Sequence, residues 1–234
     1  MLYTLMVLTA VAAYLLGSVS SSILISRRLT GKDIREEGSG NAGTTNMLRV
    51  HGKKAAAATL LFDVGKGIAA VLLAMVADWS ASKFIDRSTL SHFENAFLFG
   101  NLKYTAGFFA VLGHDFPVFF GFRGGKGVAT SLGVMLIFDW RIGLIVAVVS
   151  LLIMVVSRYV SLGSVAGGIV YPAALAAFMA GSGKWNGTYL TVAVLLGILV
   201  IIKHHANIHR LFNGTENKLF SKKTDEIADK AEHQ

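Results

Sequence analysis

The heptapeptide from Gly121 to Gly127 (Gly-Phe-Arg-Gly-Gly-Lys-Gly) sets two cations among four glycines. Bare backbone can bend there and turn N–H groups toward an anion, while Arg123 and Lys126 supply charge. That is phosphate chemistry in form. It is not a Walker loop, because no glycine sits five residues ahead of Gly125 and Lys126 is followed by Gly127 rather than by Ser or Thr. The plain alternative is a solvated basic turn near lipid headgroups, and the loop alone does not separate the two.

Two further polar stretches carry chemistry. The first offers hydroxyls and amides in Ser39, Asn41, Thr45 and Asn46, glycines such as Gly40 that admit a ligand to the backbone, and Arg49 as a fork-shaped partner for phosphate. The last runs from His204 through Asn207 to Arg210 and on to Glu216. His114 stands ahead of Gly124, Gly125, Lys126 and Gly127 in the middle stretch. Three loops with cations and neutral donors suit a small phosphorylated substrate; a lipid tail would sit between helices.

Other chemistries fit less well. His205 and His209 have metal-ligand spacing on a helix, but no carboxylate cluster or thiolate accompanies them, so no metal is expected. A triad of Ser39, His114 and Asp115 is disfavoured because neighbouring side chains on a regular backbone point apart and no Gly-x-Ser-x-Gly elbow occurs. The chain has no cysteine, which excludes disulfides, thiolate sites and thioester chemistry on the protein.

The elements that must hold these loops are membrane helices. With 53% hydrophobic residues, 15% charged residues and a mean hydropathy of +0.58, the chain is too apolar for an ordinary water-soluble domain. Its net charge of +8 is better spent on orientation in a bilayer than on nucleic acid, which is not expected as a partner. Leu2 to Ile25 has no basic leader and is too long for a signal sequence, so it reads as a retained first span. Its serines, Ser18 to Ser22, are expected to face other helices.

Further spans are expected over Ala55 to Ala77, Tyr104 to Phe120, Val128 to Phe138, Ile142 to Ser157, Val165 to Ala180 and Thr188 to Ile202. The second holds Asp63 and Lys66, which share one helical face and can neutralise each other; pinning the helix to a polar neighbour is favoured over catalysis. Gly113, His114, Asp115 and Pro117 preclude one uninterrupted lipid-facing helix over Tyr104 to Phe120. Gly163 and Gly167 form a close-packing pair. Asp78 to Lys103 reads as an outer loop without chemistry, and residues from about 203 to 234 as a polar tail.

Sixteen Lys and Arg fall in the loops on one side and five on the other. The positive-inside rule then places the N-terminus outside and the C-terminus in the cytoplasm, which requires an odd number of crossings. The expected fold is an all-α integral membrane protein of about seven transmembrane helices, some short or broken, in one membrane-embedded domain over 1–234. Every polar loop named above falls on the cytoplasmic face, where together they can close one site.

Three segments together carry a resemblance. Ser39 to Arg49 (Ser-Gly-Asn-Ala-Gly-Thr-Thr-Asn-Met-Leu-Arg), Gly113-His114 with Phe122 to Ala129, and His204-x-x-Asn207-Ile-x-Arg210-Leu-x-x-Gly214-Thr-Glu216 resemble the three signature motifs of the bacterial acyl-phosphate-dependent glycerol-3-phosphate acyltransferases, the PlsY family. The likeness runs through nearly the whole chain. It implies a multi-pass inner-membrane enzyme that moves a fatty acyl group from acyl phosphate to the 1-hydroxyl of glycerol 3-phosphate, giving lysophosphatidate and phosphate in phospholipid synthesis, without a cofactor. By similarity Ser39, Asn41, Thr45, Arg49, Lys126, Ser161, His204 and Asn207 line the site. The His-x4-Asp motif of acyl-CoA-dependent acyltransferases is absent, position 119 being Phe.

Acyl transfer needs a base for the attacking hydroxyl, donors for the oxyanion and charge for the departing phosphate. Lys126, Arg49 and backbone N–H groups can serve the last two. The base is His114, His204 or a phosphate oxygen of the substrate; the resemblance favours the substrate, and the lack of an evident histidine–carboxylate dyad agrees. Direct attack without an acyl-enzyme is expected. The chain departs from the family at His205, where Arg is usual, and in the length of the 78–103 loop. A transporter of a phosphorylated metabolite is the competing class, but no internal repeat supports it.

Overall fold

A computed structural model describes residues 2–91 and 100–219, and all regular elements among them are helices. Of the expected outer loop over Asp78 to Lys103, residues 92–99 lie outside the described residues, as do residues 220–234 of the expected tail. The helices are α1 (Leu2–Gly17), α2 (Ser21–Thr30), α3 (Thr44–Ala81), α4 (Leu102–Asp115), α5 (Val128–Phe138), α6 (Trp140–Ser157), α7 (Val160–Ser182), α8 (Gly187–Lys203) and α9 (His205–Phe212). α1 packs on α4, α3 on α4 and α5, α6 on α7, and α7 on α8.

The first predicted span is two helices. The chain leaves α1 after Gly17, and Ser20, at the start of α2, has extended dihedrals. The Ser18 hydroxyl donates to the Tyr14 carbonyl at 2.8 Å. As expected, the serines turn inward: Ser18, Ser20, Ser21 and Ser22 are all buried. Gly17 lies against the Ala110 carbonyl of α4 and Gly113 against the Tyr14 carbonyl of α1, so the two helices approach too closely for a Cβ at either place.

α3 begins much earlier than the expected second span. It starts inside the first polar stretch at Thr44 and turns at Gly52, whose φ of 77° suits glycine. Thr44 to His51 is therefore a short helix set off from the rest by that turn, and the remainder is the apolar rod. α4 ends at Asp115, with Phe116 at its C-cap, so the predicted interruption falls just before Pro117. α7 starts at Val160, which puts Ser161 in a first helical turn rather than in a loop.

Close packing fixes the second half. Added Cβ atoms would meet the Ser150 carbonyl and Met154 at Gly163 and the Ser150 hydroxyl at Gly167, so the small-residue pair seats α7 on α6. The buried core between α4, α5, α7 and α8 is aromatic, with Tyr104 stacked on Tyr189 at 4.8 Å and Phe138 edge-on to both.

Four segments among the described residues are long and apolar enough to cross a bilayer: Leu2–Thr30, Thr44–Ala81, Trp140–Ser157 and Val160–Ser182. A fifth forms if Gly187–Lys203 and His205–Phe212, bent by 58°, count as one span. Val128–Phe138 is apolar but shorter. The long spans expose Leu61, Phe62, Leu151 and Val155 on their outer faces, the surface of a protein solvated by lipid.

Candidate active site

The first polar stretch is shaped from below by one amide. Asn46 takes the Ser39 N–H on its Oδ1 at 2.8 Å and donates from Nδ2 to the carbonyls of Ile34 and Glu37 at 3.1 and 3.0 Å. It is 1% exposed and all its bonds close on backbone, so Asn46 braces the loop and does not face a ligand. Gly40, at a φ of 70°, carries the chain over this brace. Ser39 and Gly40 are exposed, and Asn41, Thr45 and Arg49 are half-buried on the same loop and the short helix that follows it.

Arg35, which the sequence reading missed, ties this loop to the glycine-rich one. Its guanidinium grips Asp33 through Nε at 2.9 Å and Nη2 at 2.8 Å. Its Nη1 donates to the carbonyls of Phe120 and Arg123 at 2.6 and 3.0 Å. The Arg35 side chain, with a smaller share from Arg27, holds the Asp33 carboxyl down at about 2. The signal available in the sequence was only a basic residue two places after an acid.

The glycine-rich loop departs from expectation. The Gly124 N–H donates to the Asp115 carbonyl at 3.3 Å and the Gly125 N–H to the His114 carbonyl at 3.2 Å. Those amides thus finish the C-terminus of α4 instead of presenting themselves to an anion. The glycines are needed for proximity: a Cβ on Gly124 would strike the His114 carbonyl, and one on Gly125 would strike His114 Nε2 and the Ala42 carbonyl. Gly127, at a φ of 71°, starts α5 beside the Asp115 carboxylate. The charge of the loop remains available: Lys126 is half-buried and reaches the site, whereas Arg123 is exposed.

Lys126 Nζ donates to Asn207 Oδ1. Asn207 Nδ2 in turn donates to Glu216 Oε1 at 2.6 Å, and Ser161 Oγ donates to the same oxygen at 2.8 Å. Arg210 Nε donates to Glu216 Oε2 at 2.7 Å. Burial works against ionisation of Glu216, but the bonds from Asn207, Arg210 and Ser161 hold its carboxyl below the usual range. Glu216 is therefore the anchor of the third loop and stands behind Lys126, not in front of it.

Burial also acts on Lys126, lowering its ammonium to about 8, with Arg210, Arg49 and Lys203 adding to the shift and Glu216 opposing it. Among the groups that shift Lys126, one carboxylate, Glu216, stands against three further cations. A surplus of positive charge around a half-buried lysine is the electrostatic setting that suits an anion such as phosphate. His204 lies at the inner edge of this cluster, where Nδ1 is 2.8 Å from the Val200 carbonyl. In the neutral ring that bond fixes the proton on Nδ1 and leaves the Nε2 lone pair as an acceptor.

Of the residues singled out from sequence, the structure brings Arg49, Lys126, Ser161, His204, Asn207 and Glu216 into one cluster, with Ser39, Gly40 and Asn41 on the first polar loop and Thr45 in the first turn of α3. His114 lies beneath, and its Nδ1 is 3.5 Å from Asp63 Oδ1, so a histidine–carboxylate pair does exist, contrary to expectation. It joins helices α4 and α3, which are 51 residues apart at these positions.

The comparisons agree over the same elements. A family model described as glycerol-3-phosphate acyltransferase matches residues 7–214. A glycerol-3-phosphate acyltransferase of Clostridioides difficile (strain 630) is 44% identical over 221 residues, covering 93% of this chain and 97% of its own. One from Shouchella clausii (strain KSM-K16) is 42% identical over 217 residues, with the same coverage of 93% and 97%. A crystal structure of PlsY, an integral membrane glycerol 3-phosphate acyltransferase, in its glycerol 3-phosphate form matches with a TM-score of 0.75 at 36% identity, covering 92% of this chain and 96% of that one. Its lysophosphatidic acid form matches with a TM-score of 0.73 at 34% identity, covering 98% and 99%. With three spaced polar motifs closed into one cationic cleft on a bundle of membrane helices, the chain belongs to the glycerol-3-phosphate acyltransferase family.

Proposed function

We propose that this integral membrane acyltransferase uses acyl phosphate as donor and delivers the acyl group to the 1-hydroxyl of glycerol 3-phosphate, releasing lysophosphatidate and inorganic phosphate. The observation that carries the reading is the convergence of Lys126, Arg49 and Arg210 on one half-buried cleft, where two phosphorylated substrates both need cationic partners. The glycerol 3-phosphate and lysophosphatidic acid forms of the related PlsY structure support the acceptor and the product.

In the proposed step the acceptor oxygen attacks the acyl carbon, the bond from that carbon to the phosphate oxygen breaks, and phosphate leaves with the electron pair. Lys126 and Arg49 stabilise the departing phosphate, while Ser39 from the first polar loop and Thr45 from the first turn of α3 offer hydroxyl donors. The hydroxyl proton passes to a phosphate oxygen of the substrate or to the His204 Nε2 lone pair, the acceptor that the Val200 bond leaves open. No acyl-enzyme forms. The orientation that fits the charge distribution is N-terminus outside, seven crossings and the site on the cytoplasmic side of a bacterial inner membrane.

The test is purified protein in lipid nanodiscs, supplied with acyl phosphate, acyl-CoA or acyl carrier protein thioester. Phosphate release that requires both acyl phosphate and glycerol 3-phosphate is expected. Turnover with a thioester donor, or a covalent acyl-protein formed from acyl phosphate alone, would overturn the reading.

A further inference from the structure

The chain has three tryptophans, Trp79, Trp140 and Trp185, and each is 62% exposed. They stand near the end of α3, at the start of α6 and in the turn between α7 and α8. Bonds and packing bring those places together. The Gly100 N–H donates to Asp78 Oδ1 at 3.2 Å and Asn186 Nδ2 donates to Asn101 Oδ1 at 3.4 Å, so the end of α3 and the α7–α8 turn both meet the chain entering α4. Phe138, two residues before Trp140, packs edge-on to Tyr104 of α4 and Tyr189 of α8. The three indoles therefore share one end of the bundle.

The site has the other end. α5 runs from Gly127 toward Trp140, and α7 from the turn holding Ser161 toward Trp185. α6 runs back from Trp140 to Arg158, and α8 from the Trp185 turn to His204. Each of these helices thus has a tryptophan at or beyond one terminus and the site at the other.

Every indole also has a charged neighbour. Lys83 Nζ lies 3.6 Å from the centre of the Trp79 ring. Arg141 follows Trp140 and is forked onto Asp139 through Nε and Nη2 at 2.9 and 2.8 Å, and exposed Lys184 precedes Trp185. In hydrocarbon these charges would lose their water, and in water three broad apolar rings would stand bare. The boundary satisfies both: an indole lays its body among acyl chains and turns its N–H toward the headgroups, with a lysine beside it to meet phosphate. Helix length agrees. α6 has 18 residues and α8 has 17, so at 1.5 Å per residue each spans about 26 Å, close to the ~30 Å of a hydrocarbon core. With the tryptophans at one boundary, Arg158 and His204 arrive at the other.

We propose that Trp79, Trp140 and Trp185 anchor the protein in the phospholipid headgroup layer of the leaflet opposite the site and, through α6 and α8, fix the level at which the site meets the other boundary. The indoles touch no substrate. The inference does not depend on which acyl donor the enzyme uses.

Because the tryptophans share one end, the intrinsic fluorescence of the unaltered protein reports on that end alone. The protein is placed in vesicles of phosphatidylethanolamine and phosphatidylglycerol that carry a nitroxide either on the headgroup or near the end of an acyl chain, with iodide as the aqueous quencher. Quenching at least about twofold stronger from the headgroup than from the chain end is expected, with little from iodide. Three variants that each keep one tryptophan and carry Phe at the other two assign the depth ring by ring. Any ring that reports from the bilayer centre or from water overturns the proposal.

Turnover is then followed across vesicles of increasing acyl-chain length. The unaltered protein is expected to show a narrow optimum, losing about fivefold at either extreme, and Trp79→Leu/Trp140→Leu/Trp185→Leu to vary by less than about twofold. Superimposable profiles overturn the role in fixing depth. If the triple variant does not fold, quenching in the unaltered protein decides alone. Absence of turnover with acyl phosphate bears on the donor only and leaves the quenching interpretable.

Discussion

Asn207 presents its carbamoyl oxygen to Lys126 and its amide nitrogen to Glu216, so the one lysine of the glycine-rich loop is aimed by a residue 81 positions later in the chain. The amide cannot be turned over without placing a donor against the ammonium and an acceptor against the carboxylate. Its orientation is set by charge on both sides, and Lys126 inherits that orientation.

Removal of Lys126 tests its contact with substrate. Lys126→Ala is expected to lower kcat/KM by about two to three orders of magnitude, the usual scale for losing a positioned charge in a shielded site. Phosphate release from acyl phosphate measures it. Lys126→Arg is expected to recover part of the rate, since it keeps the charge but not the compact ammonium that Asn207 accommodates.

The pH dependence follows from the same residue. Burial lowers Lys126 to about 8, and in the proposed reaction the protonated form is the one that binds phosphate, so charge is present below that value and lost above it. The rate is expected to fall as pH rises through about 8. In Lys126→Arg the guanidinium stays charged, and the alkaline fall should move to higher pH or vanish. A profile of kcat/KM in the two proteins checks both statements.

Glu216→Gln separates anchoring from chemistry. The variant keeps an oxygen for Ser161 and Asn207 but loses the charged contact with Arg210. A loss of about tenfold in kcat/KM is expected, the scale of one charge-assisted hydrogen bond. It should appear mainly as weaker binding of glycerol 3-phosphate, because Arg210 and Lys126 are displaced without being removed.

Two glycines of one loop should respond differently. Gly125→Ala places a methyl into His114 Nε2 and the Ala42 carbonyl, and is expected to abolish activity and lower thermal stability. Gly121→Ala meets nothing nearby but keeps a φ of 66°, so it should cost only about 1 kcal/mol of backbone strain and leave most of the activity. Initial rates and melting curves in detergent distinguish them.

Much of the site was legible because its residues are chemically conspicuous. Cations in an apolar chain stand out, and Lys126 and Arg49 were found that way; Asn207 and Glu216 were noticed as part of the polar stretch after His204. Their division of labour was not legible. Asn46 looks like a ligand donor by type, yet its amide is consumed by Ser39, Ile34 and Glu37, and only coordinates show where an amide's bonds go. Gly124 and Gly125 suggested an anion cradle, but glycine is equally required where backbone passes close to a side chain, here His114. Arg35 and the meeting of Asp63 with His114 depend on contacts across long stretches of chain, which no local pattern encodes. The α1–α2 break escaped notice because apolar composition is indifferent to a local turn in the backbone.

The joint at Gly52 has a bearing on how such a protein tolerates change. The rod beyond Gly52 must match the lipid around it, whereas Thr44 to His51 carries Arg49 to the charged cluster with Lys126, Arg210 and Glu216. Since the chain changes direction between them, the axis of one does not dictate the axis of the other. Substitutions that lengthen, shorten or re-tilt the lipid-facing part can accumulate as the surrounding bilayer differs from host to host, while the short helix before the joint keeps its aim.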